Sequence, residues 1–403
     1  MRRDYCIVTE TYPPEVNGAA MTLGRLAHGL RARGHAVSVV RPWRPELDGR
    51  QHVEGSPDML VPGAPLPGYP GVRVGWPATR RLEARWRARR PDAVYVATPG
   101  PLGWAAVRAA HRLGAPVFSG FHTNFPGYAR HYRAGWLTRS VASGLRAFHN
   151  RTRGTLVPSA DLLARLREAG FENLALLGRG VDHDLFNPAR RRMELRARWG
   201  VSAEGLVALY VGRIAAEKNV GLAIEASRAM QRTGRVERLV VVGDGPLRDG
   251  LERAHPGVLF CGTQTGAALA EHYASADLFL FPSETETFGN VVLEAMASGL
   301  VVVAYDYAAA HAHLRPSDAG IVVPCGEARA FVDAAVALAS AAPSALERMR
   351  ERARTHARWL DWGAVVDRFE AFLAGADTAL EPVRSRQGPR VGGAAVRAGA
   401  GAV

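Results

Sequence analysis

The sequence predicts an α/β protein built as two doubly wound domains that face one another across a cleft. Three observations carry this expectation. Short β-branched or apolar runs alternate with longer stretches of helical spacing, which is the pattern of βαβ units and a parallel sheet. The alternation comes in two series, separated by a segment rich in glycine, proline and charge. The 403 residues, 47% hydrophobic and 22% charged, are enough chain for two cores of ordinary size.

The first series is YCIVT (5–9), HAVSVV (35–40), AVYVAT (93–98), PVFSGF (116–121) and TLVPS (155–159). After the first run, Leu23, Leu26, Ala27 and Leu30 recur at the spacing of one helical face. Residues 42–77 contain eight prolines and are expected to form no regular helix; they are a loop on the ligand side or an irregular surface excursion. The second series is LVALYVG (206–212), RLVVVG (238–243), VLFCG (258–262), ADLFLFP (276–282), LVVVAY (300–305) and GIVVP (320–324). These runs are almost continuously apolar, as parallel strands covered on both faces should be. Between the series lies FENLALLGRGVDHDLFNPARR (171–191), and the linker is placed near residue 180. The domains are then 1–178 and 179–375, while the Ala/Gly/Arg/Pro-rich stretch 376–403 is expected to be disordered.

A formal net charge of +13 points to an anionic partner, whether nucleic acid, membrane surface or phosphate-bearing substrate. Of 51 basic residues, 50 are arginine, so arginine number alone says little and the single lysine, Lys218, stands out. Cys6, Cys261 and Cys325 lie far apart, without the paired spacing of a disulfide framework or a zinc site, and are expected to be small buried hydrophobes. Asp4 interrupts the first apolar run and Thr9-Glu10 closes it, so no secretory leader is read there and a cytoplasmic location is expected.

Candidate site residues fall at the ends of predicted strands. The first strand runs into TETYPPEVNGAAMTLGRL, where Gly18 opens a helix and lets backbone approach a phosphate; an ordinary strand-to-helix turn has the same form. After the first strand of the second domain, GRIAAEK sets Arg213 and Lys218 five residues apart, a fork and a point charge suited to a diphosphate or, equally, a solvated basic loop. In SETETFGNVVLEAMASG, Glu286 and Glu294 flank a helix start at Phe288 or Gly289, on the order of 9 Å apart along the axis. Free N–H groups of Gly289, Asn290 and Val291 would hold an anion between them. Carboxylates accept two hydroxyl hydrogen bonds each, so the layout suits a diphosphate with a polyol ring at either end. A capping role for Thr285 or Thr287, with the glutamates serving the helix dipole, is the plainer alternative.

The Asn-Gly after strand one, GRIAAEK, GDGPLR and SETETFGNVVLEAMASG together resemble the family-4 retaining glycosyltransferases of the GT-B fold, over roughly residues 4–373. TETYPPEVNGAAMTLGRL, SGFHTNFPGYARHY and FHNRT are most similar to bacterial GDP-mannose-dependent α-mannosyltransferases and to relatives that glycosylate diacylglycerol. The resemblance implies Rossmann-like domains, a nucleotide-sugar donor, no metal and no separate cofactor. It implies Gly18 on the diphosphate, Arg213 and Lys218 on the leaving phosphates, Glu286 on the transferred sugar and Glu294 on the ribose. It also implies His122 as the active-site histidine, against a purely structural role, and places the base near Cys261 to Gln264 without choosing guanine over uracil. A UDP-sugar donor of glucose or glucuronate is the alternative, with diacylglycerol or a soluble sugar as acceptor.

From Asp92 to Asp161 no acidic residue occurs, but eight arginines do. Within residues 130–154, Leu137, Val141, Leu145 and Phe148 form a stripe beside Arg139, Arg146, Arg151 and Arg153. That is the pattern of a helix on anionic lipid, or of a domain helix with a solvated basic face. A lipid-linked acceptor and a peripheral position on the inner face of the membrane are expected from the first reading. No stacking-aromatic or helix-turn-helix pattern accompanies the charge, so no nucleic-acid partner is expected. Asp182-x-Asp184 falls in the linker and is not expected to bind metal, and GDGPLRDG lacks the spacing of a dinucleotide fingerprint.

Overall fold

The computed structural model describes residues 1–48, 58–65, 73–122 and 137–375. The expected tail 376–403 and residues 130–136 of the basic stretch lie outside them. In chain order the strands are β1 (Asp4–Val8), β2 (Ala36–Pro42), β3 (Met59–Val61), β4 (Gly63–Pro65), β5 (Arg73–Gly75), β6 (Ala93–Val96), β7 (Val117–Gly120), β8 (Thr155–Val157) and β9 (Leu174–Leu176). Seven of them form a parallel sheet in the order β3-β2-β1-β6-β7-β8-β9, and β4 and β5 make a small antiparallel pair. The second sheet is also parallel: β10 (Leu206–Val211), β11 (Val236–Val242), β12 (Leu259–Phe260), β13 (Leu278–Phe281), β14 (Val301–Tyr305) and β15 (Gly320–Val323), in the order β12-β11-β10-β13-β14-β15.

Continuous apolar runs form these strands because both faces of each sheet are covered. Along β10, Val207, Leu209 and Val211 enter the core on one side of the second sheet and Leu206, Ala208 and Tyr210 the core on the other. The predicted helical face holds as well: Leu23, Leu26, Ala27 and Leu30 of the helix Gly18–Ala32 are wholly buried. Strand order reverses between β1 and β6 in one sheet and between β10 and β13 in the other. In doubly wound folds ligands bind at the carboxyl ends beside such a reversal, because the crossovers diverge there and leave a crevice.

Three features differ from the sequence reading. The proline-rich 42–77 segment, expected to form no regular helix, holds a four-residue one, Pro45–Asp48, as well as β3, and β9 lies inside the proposed linker, these two strands being three residues long. The final helix, Trp362–Leu373, belongs to the core of the first domain rather than to the second, as the 179–375 boundary had it. Val366, Phe369 and Phe372 pack with Tyr5, Leu26 and Tyr95. A Cβ on Gly29 would stand 2.5 Å from Val366, so a glycine there lets the two helices meet. The chain therefore crosses between domains twice, and the crossings run side by side: Val181 donates its N–H to the Leu360 carbonyl at 2.8 Å. Finally, Cys6 is buried and its thiol pushed up to about 11 by burial, but Cys261 is only partly covered and Cys325 is exposed.

One buried acid makes stability depend on pH. Glu10, 8% exposed, follows β1; it accepts the Gly75 N–H, and its carboxylate occupies the space a Cβ on Gly100 would need. Burial raises its carboxyl from 4.5 to about 7. The folded state thus holds a proton the unfolded chain releases, so this contribution is complete below about 4.5 and is lost as pH climbs through about 7. We expect Glu10→Gln to gain about 2–3 kcal/mol on the wild type between about pH 5 and pH 8 in urea unfolding. A difference that stayed flat with pH would show that the carboxyl ionises normally.

Candidate active site

The reversal between β10 and β13 makes their following loops neighbours, and these loops carry the cations and the first glutamate. Glu284 donates its N–H to the Glu217 carbonyl at 3.0 Å, tying one loop to the other. Across that tie the Lys218 ammonium pairs with Glu286 Oε1 and donates to the Thr285 carbonyl at 2.9 Å. Ser283 Oγ donates to the same Glu286 oxygen at 2.8 Å. Both charged side chains are largely covered, 11% and 16% exposed, so neither is a solvated surface group.

Arg213 stands at the carboxyl end of β10, its guanidinium 35% exposed and 4.0 Å from the fully buried carboxylate of Glu217. Its loop is held from behind by GDGPLR. Ile214 donates to the Asp244 carbonyl at 2.9 Å, and a Cβ on Gly245 would stand 2.4 Å from the Ile214 carbonyl oxygen. Gly243, whose Cβ would stand 1.9 Å from the Gly212 carbonyl oxygen, and Gly245 therefore serve close backbone packing.

The helix Asn290–Ala297 is capped by Gly289 in the left-handed region, φ 94°, with no side-chain cap. Glycine meets that backbone demand, and the N–H groups of Asn290 and Val291 precede the first intrahelical bonds. Opposite it, the helix from Gly18 begins after Asn17, whose side chain accepts the Ala20 N–H at 2.8 Å. A Cβ on Gly18 would lie 3.8 Å from the side-chain nitrogen Nδ2 of Asn290. The Asn290 side chain thus reaches from the start of one helix to the start of the other, so the N-terminal ends of a helix from each domain lie within a side chain's length of each other.

Glu294 sits one turn into its helix, where Tyr273 donates to Oε2 at 2.9 Å. Burial raises its carboxyl to about 7 against that hydrogen bond. His122 follows β7 in the first domain. Its Nε2 is 2.8 Å from the Tyr95 hydroxyl and its Nδ1 3.4 Å from Arg179. Burial holds the imidazole well below its ordinary value, with Arg179 and His149 adding to the effect.

Of the residues singled out in the sequence, Lys218 thus meets Glu286, and Gly18 lies beside the side chain of Asn290. Arg179, Tyr95, Ser283 and Tyr273 were not read from the sequence. Tyr95 passes for one more apolar strand residue, and Arg179 is one arginine among 50. Asp182 is structural: it accepts the Leu185 N–H at 3.0 Å and pairs with Arg25 of the first domain. Among the described residues no group of three His, Cys, Asp or Glu side chains is placed to hold a metal ion.

Two neighbouring helix starts, two cations beside them and an acid at either end have the chemistry of a cleft that takes a diphosphate carrying polyols. A family model described as Glycosyltransferase Family 4 matches residues 16–185, and one described as Glycosyl transferases group 1 matches residues 205–341. The chain is 36% identical over 323 residues to a GDP-mannose-dependent alpha-mannosyltransferase of Mycobacterium tuberculosis, covering 80% of this chain and 84% of that one. It is 26% identical to an alpha-monoglucosyldiacylglycerol synthase of Acholeplasma laidlawii, covering 74% and 80%. In structure it resembles a sucrose-phosphate synthase from Thermosynechococcus elongatus, with TM-score 0.74 at 19% identity over 92% and 98% of the two chains. The chain is a glycosyltransferase with two Rossmann-like domains in the GT-B arrangement, and it belongs to the family-4, group 1 glycosyltransferases.

Proposed function

We propose that this enzyme transfers mannose from GDP-mannose, with retention, to a hydroxyl of a membrane glycolipid or lipid precursor. The observation that carries a nucleotide-diphosphate donor is the uncapped helix start at Gly289 and Asn290, with Glu286 of the loop before it paired to Lys218 and the Asn290 side chain reaching the Gly18 helix start of the other domain. The mannosyltransferase relatives, 33–36% identical, favour mannose and guanine. In this reading Gly18, Asn290 and Val291 bind the diphosphate, and Arg213 and Lys218 neutralise the charge that grows on it as the glycosidic bond breaks. Glu286 holds the hexose hydroxyls and Glu294 the ribose. The acceptor attacks on the face the nucleotide leaves, and the departing phosphate takes its proton.

The lipid side of the proposal rests on the diacylglycerol-glycosylating relatives and on residues 130–154. The helix Leu137–His149 spends part of its apolar stripe on the core, since Leu145 and Phe148 are buried, while Val141 is exposed. Contact with an anionic inner leaflet would run through Val141 and the basic residues around it, about 1 kcal/mol for each. No single described helix is long and apolar enough to cross a membrane.

Incubation with radiolabelled GDP- and UDP-sugars, with and without EDTA and with lipid extract, tests this directly. Label should reach the organic phase from GDP-mannose, undiminished by the chelator. Label confined to water-soluble products would remove the lipid acceptor, and transfer from UDP-glucose alone would replace the donor.

A further inference from the structure

We infer that Arg179 and Tyr95 are positioning residues that fix His122 as the Nε2–H tautomer, leaving neither ring nitrogen available to take a proton from the acceptor. The inference extends the transferase reading above and rests on it for the role of His122.

A guanidinium carries only donors. The imidazole nitrogen that faces Arg179 must therefore present its lone pair, which makes Nδ1 the acceptor of that 3.4 Å contact and puts the ring proton on Nε2. Nε2–H then donates to the Tyr95 oxygen 2.8 Å away. The reverse tautomer would point N–H at N–H across the Arg179 contact.

The surroundings are built for this arrangement. Arg179, 7% exposed, anchors its guanidinium on the Leu177 carbonyl at 3.0 Å, so it cannot swing away without losing a buried hydrogen bond. Its charge is held down to about 10 by burial. At the end of β7, Gly120 has no side chain, and a Cβ there would lie 1.8 Å from the Tyr95 hydroxyl oxygen and 2.9 Å from His122 Nε2. Any larger residue would break the Tyr95–His122 bond. Among the described residues, the groups facing His122 are Tyr95 from β6, Arg179 from the first crossing and, further off, His149 from the helix Leu137–His149.

One partner lies on the connection between domains, and the other packs on the helix that follows the second crossing. Arg179 lies on the first crossing, one residue before Gly180, whose Cβ would meet the Trp362 nitrogen of the second crossing at 2.7 Å. Tyr95 packs edge-on against Phe369 of the final helix, ring centroids 4.9 Å apart. The His122 ring is therefore set by one residue on the first crossing and by another that leans on the helix after the second. With its nitrogens occupied, His122 acts through a fixed position and polarity, and the acceptor's proton is left to the departing phosphate.

Histidine-selective 15N labelling of the full chain tests this without turnover. Long-range 15N–1H correlations, with His122 assigned from a His122→Gln spectrum, should show Nε2 protonated and Nδ1 bare, unchanged from about pH 8 to about pH 5.5. A protonated Nδ1, or an imidazole that titrates in that window, would overturn the inference. Arg179→Met should release the tautomer and lower kcat by up to about 10²-fold with KM for the donor little changed. Arg179→Lys, which restores a donor, should return the wild-type tautomer. Tyr95→Phe should keep Nδ1 bare while shifting the Nε2–H resonance, and an unshifted Nε2–H would break the proposed bond. If the spectra behave as described and no sugar is transferred, the positioning stands and the transferase reading fails.

Discussion

Lys218→Ala and Arg213→Ala should each lower kcat/KM for the nucleotide-sugar donor by about 10²–10³, the cost of removing one preorganised group from a developing anion. The two losses have different side effects. Lys218 is 11% exposed and pairs with a Glu286 that is 16% exposed, so its removal leaves a largely buried carboxylate without its cation. Breaking such a pair from one side destabilises by about 3–5 kcal/mol when burial is complete, and by less here. Glu286→Ala should abolish turnover for a separate reason, loss of the sugar's hydroxyl acceptor, while the ammonium keeps its bond to the Thr285 carbonyl. The double variant Lys218→Ala/Glu286→Ala removes both charges and should melt above either single variant, with activity no lower than the worse of them. Arg213 is more exposed than Lys218, 35% against 11%, and its contact with Glu217 is the longer at 4.0 Å, so Arg213→Ala should lose activity with a smaller loss of stability. Donor-dependent kinetics alongside thermal melts of the four proteins decide it. Near-normal rates in Lys218→Ala and Arg213→Ala, both folded, would mean that the diphosphate lies elsewhere.

Much of this site was legible because its chemistry is carried by rare or closely spaced residues. A single lysine in a chain of arginines, and two glutamates eight positions apart around Phe-Gly-Asn, stand out in any reading of the sequence. The sheets were legible because strands covered on both faces carry unbroken apolar runs; β10, β13 and β14 start and stop within two residues of their predicted bounds. What stayed hidden is tertiary. β3 and β9 are three residues long, too short for a periodic signal. The final helix has an ordinary apolar face, and nothing in its spacing says that this face meets Gly29 and Tyr95 rather than the nearer second sheet. Arg179 becomes informative only when the fold brings it to His122, and GDGPLR only when its glycines are seen against Gly212 and Ile214. Sequence pattern marks groups that act through their own chemistry, while groups that act by holding another residue appear once the neighbours are known.

Donor affinity should weaken as pH falls through neutrality, and Glu294 is the residue that makes it do so. Its carboxyl is raised to about 7 by burial, so near neutral pH it is divided between the acid and the carboxylate. Only the carboxylate accepts two ribose hydroxyls, and Tyr273 already donates to Oε2, which favours the ionised form. Donor binding therefore requires deprotonation below about 7, and the apparent affinity falls by up to tenfold for each unit below that value. Between about pH 8 and pH 6 the Kd for GDP should rise by about tenfold. Glu294→Gln presents one carbonyl acceptor at every pH, so its Kd should be weaker at about pH 8 and nearly flat down to pH 6. Tyr273→Phe removes the donor that favours ionisation and should move the wild-type inflection upward, a shift that loss of packing alone would not produce. Calorimetric titration of GDP at several pH values measures all three. A wild-type Kd that is constant across this range, or a Glu294→Gln variant that keeps the wild-type slope, would separate Glu294 from the nucleotide and leave its buried charge to another cause.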